Sequence, residues 1–361
     1  MTVKVGIIGC GGIANGKHMP SLKQVAEVEL VAFCDIEMDR AERAKVEYGT
    51  ENASVYKDYR DLLADEKIDV VHVCTPNISH AVISIAAMEA GKHVMCEKPM
   101  AKTAAEGKAM IEASERTGKK LTIGYQNRFR KDSRYLHQVC ENDELGDIYY
   151  AKAKAIRRRA VPTWGVFLDE EAQGGGPLID IGTHALDLTL WMMDNYQPKY
   201  VVGNSYHKLS SMKDAANAWG AWDPEKFTVE DSAFGFITME NGATIVLEAS
   251  WALNTLDVGE AKTALSGTKG GADMEDGLRI NGEAYGQTYE KNIQLETGGV
   301  DFYDGTGDDP AVLEAESWIH AVINDGEPVV KPEQALVVTQ ILEAIYQSAK
   351  TGQPVYFDQK G

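Results

Sequence analysis

Hydrophobic and polar positions follow two different rhythms along this chain. In the first third, short apolar runs with no polar face recur: Val3-Lys4-Val5-Gly6-Ile7-Ile8, Val28 to Cys34, Val70 to Cys74, Lys92 to Cys96 and Leu121-Thr122-Ile123. Runs of this type predict strands buried on both faces. Helical patterns fill the gaps, from Ala14 towards Val25, from Ser79 to Ala90 closed by Gly91, and from Thr103, which forms a capping box with Glu106, to Gly118. Strand-helix alternation of this kind predicts a doubly wound parallel sheet over residues 1–123, with ligands beyond the carboxyl ends of its strands.

Beyond Gly124 strands follow strands. Tyr149 to Ile156 has a strand pattern, and Asp231 to Met239 with Ala243 to Trp251 reads as a hairpin about Asn241-Gly242. Shorter strand candidates lie near Ala264 and Leu278. Helices are predicted over Ser133–Asn142, Ala311–Asn324 and Glu333–Lys350, the last packing back on the chain. Residues 124–361 are therefore expected to be a second α/β domain on a largely antiparallel sheet.

The segment Leu178 to Met193 follows Gly174-Gly175-Gly176-Pro177, a loop-to-helix entry with proline at the first helical position. Read at 100° per residue, Asp180, His184 and Asp187 share one stripe of a helix that is otherwise almost wholly apolar. Burying such groups unpaired is costly. The stripe is either a site or a histidine satisfied by a neighbouring carboxylate.

Length and composition narrow the class. At 361 residues the chain exceeds one typical core, and 44% hydrophobic with 25% charged residues suits a soluble enzyme. A net charge of −19 argues against a nucleic-acid groove. Five cysteines without a Cys-x-x-Cys spacing suit buried thiols in a reducing compartment, and no metal site is expected. Without a signal segment or an apolar run near the roughly 18 residues of a membrane span, a cytoplasmic location is expected.

The first apolar run leads into Gly9-Cys10-Gly11-Gly12-Ile13-Ala14, which fits the dinucleotide fingerprint G-x-G-x-x-[GA]. Asp35 ends the second strand about 20 positions further on, where an acid hydrogen-bonds the adenosine ribose. That carboxylate repels a 2′-phosphate, so NAD is favoured over NADP. Thr75-Pro76-Asn77 with His80, and Glu97-Lys98-Pro99, emerge from later strands and should border the cofactor. A lysine there can polarise a reacting hydroxyl or relay its proton.

Taken together, Gly9-x-Gly11-x-x-Ala14, Thr75-Pro76-Asn77-x-x-His80, Cys96-Glu97-Lys98-Pro99-Met100 and Gly174-Gly175-Gly176-x-x-x-Asp180-x-Gly182-x-His184-x-x-Asp187 resemble the Gfo/Idh/MocA oxidoreductases over nearly the whole chain. The resemblance implies a Rossmann domain, then an α/β domain on a large open, mostly antiparallel sheet. It implies Lys98, Asp180 and His184 as the catalytic set. The cofactor set is expected to comprise Gly9, Gly11, Gly12, Ile13, Asp35, Thr75, Pro76, Asn77, His80, Glu97, Lys98 and Gln126.

Substrate contact is expected from Lys98, Tyr125, Arg157, Arg159, Trp164, Asp180 and His184, which combine charged donors with aromatic faces suited to polyhydroxylated rings. The expected reaction is NAD-dependent oxidation of a secondary alcohol on a sugar, glycoside or inositol-like polyol. Two alternatives stand beside it: glycoside cleavage through transient oxidation by tightly held NAD, and a non-catalytic NAD sensor. Ser210 to Pro224, with Trp219 and Trp222, reads equally as a lid or a subunit contact. The open sheet predicts a homodimer or homotetramer.

Overall fold

Strands β1 (Val3–Ile8), β2 (Val28–Cys34), β3 (Ser54–Tyr56), β4 (Val70–Val73), β5 (His93–Cys96) and β6 (Leu121–Ile123) form one parallel sheet in the order β3-β2-β1-β4-β5-β6. This computed structural model describes residues 2–295 and 309–357. The strand order is that of a dinucleotide-binding sheet whose direction of winding reverses between β1 and β4. β3 carried no apolar run because it is a three-residue edge strand with every residue only half-buried.

The second sheet contains β7 (Ile148–Ile156), β8 (Pro198–Tyr206), β9 (Ser232–Met239), β10 (Thr244–Ser250), β11 (Gly259–Gly267), β12 (Gly270–Asp273), β13 (Arg279–Ala284), β14 (Gln287–Asn292) and β15 (Val355–Tyr356). Their order is β14-β13-β12-β11-β7-β10-β9-β8-β15. β7 and β10 pair in parallel, while the other described pairings in this sheet are antiparallel. The β9–β10 hairpin turns at Gly242, which has φ +87°. β8 was not evident from its sequence, since one of its faces lies open: Val202, Asn204 and Tyr206 are exposed, while Val201 and Gly203 are buried.

The chain divides into two compact units. One takes residues 2–129 and, among the later described residues, 309–336; the other takes 130–295 and 337–357. The return of the chain to the first unit is fixed by specific bonds. Thr122 donates to the Val330 carbonyl at 2.9 Å, and the buried Arg128 donates to the Val329 carbonyl and to Gln334 at 3.1 and 2.7 Å. Trp318 and Ile319 of the helix Pro310–Ile323 join the same core as Val5, Ile7 and Met19.

Candidate active site

In the first unit the parallel sheet brings five sequence-distant segments to one edge: the glycine turn after β1, Asp35 after β2, Thr75-Pro76-Asn77 after β4, Glu97-Lys98 after β5 and Gln126 after β6. Gly9 has φ +90°, and a Cβ on it would lie 2.7 Å from the Cys74 carbonyl oxygen, so only glycine passes here. Around Gly11 and Gly12 a Cβ would meet nothing within 4 Å, which leaves the backbone open on that side. The helix that follows opens at Gly12 and becomes π-helical over Ala14–His18. Its first amides are thus placed as an anion cradle.

Asp35 is buried, and its carboxylate accepts the Cys10 amide at 2.8 Å and the Glu37 amide at 2.9 Å. It therefore staples the glycine turn to the end of β2. A carboxylate has about four acceptor positions, so capacity for ribose hydroxyls remains. This edge fits a dinucleotide: open glycines, the first helix amides and an anchored acid. Among the described residues, no group of three or more His, Cys, Asp or Glu is disposed to hold a metal ion.

His80 ties two loops of this edge together. Its Nδ1 lies 2.7 Å from the Pro99 carbonyl oxygen and its Nε2 2.9 Å from that of Thr75. Burial outweighs these two carbonyl contacts and lowers its pKa from the ordinary histidine value. Lys98 is half-buried, as are Thr75, Asn77 and Gln126, whereas Pro76 is exposed.

Glu97 is turned inward. Its Oε1 lies 2.7 Å from Lys17 Nζ and 2.8 Å from His18 Nε2, and its Oε2 accepts the backbone amide of Lys98 at 3.0 Å. Lys17 also reaches Glu314 at 2.9 Å, and His18 Nδ1 lies 2.9 Å from His72 Nδ1. All five side chains are buried. Burial alone would raise the Glu97 pKa, but the Lys17 charge and the His18 hydrogen bond prevail and hold it well below the usual carboxylate range. Burial raises that of Glu314 instead, Lys17 notwithstanding. Sequence reading missed Lys17, His18, His72 and Glu314. The available signal was polar residues inside otherwise apolar runs, such as His72 in β4.

In the second unit, the segment carrying Asp180 and His184 departs from the expected regular helix. Leu178–Gly182 is π-helical and passes into an α-helix at Thr183–Met193. The wider i→i+5 turns rotate Asp180 out of the angle assigned to it at 100° per residue. Asp180 is half-buried and accepts Trp251 Nε1 at 3.1 Å, while His184 and Asp187 are buried. Glu230 caps the entry, accepting the amides of Gly176 at 2.8 Å and Leu178 at 3.1 Å and the Tyr346 hydroxyl at 2.9 Å. Burial raises its pKa against those three donors. Gly175 is required here, since a Cβ would collide with the Tyr346 hydroxyl.

The expected substrate contacts fare differently from one another. Tyr125 is wholly buried. Arg157 forms a bidentate pair with Glu260 at 2.6 and 2.8 Å and lies 5.5 Å over the Trp219 ring, and Arg159 bonds Asn254 at 2.6 Å. Trp164 is exposed and packs edge-to-face on Trp219 at 4.9 Å. The 210–224 insertion is bolted to the loop after β7. Asn217 bonds both backbone groups of Val161 at 2.8 and 2.9 Å, and the Thr163 hydroxyl donates to the Trp219 carbonyl at 2.9 Å. Trp222 is buried and donates to the Ser210 carbonyl.

Residues 3–125 match the model of the oxidoreductase family's NAD-binding Rossmann fold, and residues 138–357 match its C-terminal alpha/beta domain. The chain belongs to the Gfo/Idh/MocA oxidoreductase family. As a Gfo/Idh/MocA protein it is an NAD-binding oxidoreductase. It is similar to D-glucoside 3-dehydrogenase of Escherichia coli (strain K12), 37% identical over 97% of this chain and 96% of that one. It is also 33% identical to inositol 2-dehydrogenase of Salmonella typhimurium, over 54% of this chain and 55% of that protein. Its fold matches levoglucosan dehydrogenase in complex with NADH and levoglucosan, with a TM-score of 0.83, 22% identity and coverage of 99% and 100% of the two chains. No described helix is long and apolar enough to cross a membrane.

Proposed function

We propose that this Gfo/Idh/MocA protein oxidises a secondary hydroxyl of a neutral sugar, glycoside or inositol-like polyol to a ketone. The observation that carries the reading is Lys98 emerging at the same sheet edge as the glycine turn and Asp35. The similarity to a D-glucoside dehydrogenase supports the substrate class.

When bound, NAD supplies the acceptor for the carbon-bound hydrogen, which leaves as hydride. Gly9, Gly11, Gly12, Ile13 and Asp35, with the Thr75-Pro76-Asn77 loop and Gln126, would hold it. The base in this reading is His184, whose imidazole takes the hydroxyl proton; imidazole is the side chain whose ordinary titration range lies nearest neutrality. Asp180, anchored by Trp251, orients the substrate hydroxyl, and Lys98 polarises its oxygen. General-base help of this kind contributes about 10² to 10⁴ in rate.

The test is a panel of sugars, inositols and glycosides with NAD and with NADP, followed at the reduced-nicotinamide absorbance. We expect NADH formation on at least one neutral carbohydrate, and a fall of about 10² to 10⁴ in kcat for His184→Ala and Lys98→Met. Aglycone release without NADH accumulation would overturn the reading in favour of transient oxidation.

We further propose a homo-oligomer closed over the open face of the second sheet. Val202, Phe236, Val246 and Lys152 lie in register across β8, β9, β10 and β7, and Val202 and Phe236 are exposed. Lys152 is exposed and Glu248 half-buried on this same face, so it offers both charges to a second copy related by a two-fold axis. Phe236→Glu should shift the mass measured by light scattering to that of the monomer. An unchanged mass would remove this face from the interface.

A further inference from the structure

We propose that Trp164 and Trp219 form a stacking platform for the second ring or aromatic aglycone of a neutral glycoside, a reading that rests on the function proposed above and narrows its substrate class. The two tryptophans are 51% and 45% exposed, yet they are held edge-to-face with ring centroids 4.9 Å apart. Exposed aromatic surface that is also held in place marks a binding surface more often than an accident of folding. Here the holding is done by backbone bonds between distant segments. Ala218 donates its amide to the Arg159 carbonyl at 3.1 Å, Asn217 clasps Val161, and Thr163 bonds the Trp219 carbonyl.

The platform is continuous with the candidate site of its own unit. Asp180 accepts Trp251 Nε1, Trp251 meets Phe167 at 6.4 Å, and Phe167 meets Trp164 at 5.9 Å. The loop bearing Trp164 follows β7, and Trp251 follows β10. Those strands run parallel, so both segments leave the same end of the sheet.

The charges around the platform select the ligand. Arg157 covers the Trp219 ring, but its charge is matched by the bidentate Glu260. Arg159 is committed to Asn254 and to the Arg158 carbonyl. Arg157 is therefore not left as an anion receptor, Arg159 bonds only neutral oxygens, and the net charge of −19 on the chain as a whole disfavours an anionic ligand. An uncharged sugar ring, with an apolar face for stacking and hydroxyls for the polar rim, fits these groups better than a sugar phosphate or uronate.

The experiment compares KM for a disaccharide and a phenyl glucoside with KM for the corresponding free monosaccharide, in the parent and in Trp164→Ala and Trp219→Ala. Loss of one stacking contact should raise the ratio of the two KM values by about tenfold, and Trp164→Tyr should restore most of it. A ratio that does not move, or a change in oligomeric mass in either variant, overturns the platform while leaving the dehydrogenase reading intact. If the parent oxidises no carbohydrate, quenching of tryptophan fluorescence by phenyl glucoside tests the platform separately. Quenching that is absent, or equal in parent and variants, overturns it.

Discussion

Lys17 and Glu97 form a 2.7 Å ion pair in which both side chains are almost excluded from solvent, and Glu97 in turn accepts the backbone amide of Lys98. Lys17 thus supports the loop that carries the proposed catalytic lysine. Removing one partner of a buried pair leaves an uncompensated charge, and here Lys17→Met would leave both Glu97 and Glu314. We expect a loss of about 3–5 kcal/mol in denaturant unfolding at neutral pH. The deficit should shrink as the pH is lowered, because protonation relieves the stranded carboxylates.

The parent should show the matching linkage. A carboxylate whose folded pKa is depressed contributes stability that is present above its unfolded pKa and is lost as pH falls through the folded one. Glu97→Gln should therefore narrow its stability gap to the parent below about pH 4, near the unfolded value for glutamate. A gap constant with pH would show that Glu97 is not held as an anion.

Glu230 has the opposite sign. Burial raises its folded pKa, so the stability linked to its protonation is fully present below the unfolded pKa and is lost as pH rises through the folded value. Glu230→Gln does not titrate. Its unfolding free energy should draw closer to the parent's as the pH is raised above about 4. Parallel curves across that range would contradict the shift.

Gly175 and Tyr346 are close enough that any side chain at position 175 meets the tyrosine hydroxyl. Gly175→Ala should destabilise the chain by about 1–3 kcal/mol, as overpacking does. Tyr346→Phe removes the colliding oxygen, so the double variant should recover part of that loss in a double-mutant cycle. Strict additivity would place the strain elsewhere.

Asp35 both staples the glycine turn and stands where a ribose would be bound. Asp35→Asn retains the shape but loses the charge. Calorimetric titration should show NAD binding weakened by about tenfold or more, the usual scale for a hydrogen bond to a charged group, and a smaller preference over NADP. Equal affinities in parent and variant would remove Asp35 from the cofactor set.

The strand-helix alternation, the glycine turn and the Asn-Gly hairpin were legible in the sequence, because each is a local pattern: a run of apolar residues, a positive φ, a short turn ending in glycine. β3 and β8 were not, since an edge strand and a strand with one open face carry weak apolar signals. The π turn at Leu178–Gly182 was hidden for a similar reason, as its sequence also suits an α-helix.

Sequence alone determined which residues end the parallel strands other than β3, and hence which loops share the cofactor edge, because strand direction follows from chain order once the alternation is known. Only the tertiary structure decided what lies behind that edge and beside Asp180. Lys17, Glu97 and Glu314 are distant in the chain, as are Trp164 and Trp219, and Glu230 and Tyr346. Contacts of that range arise from packing and leave no periodic trace in the sequence.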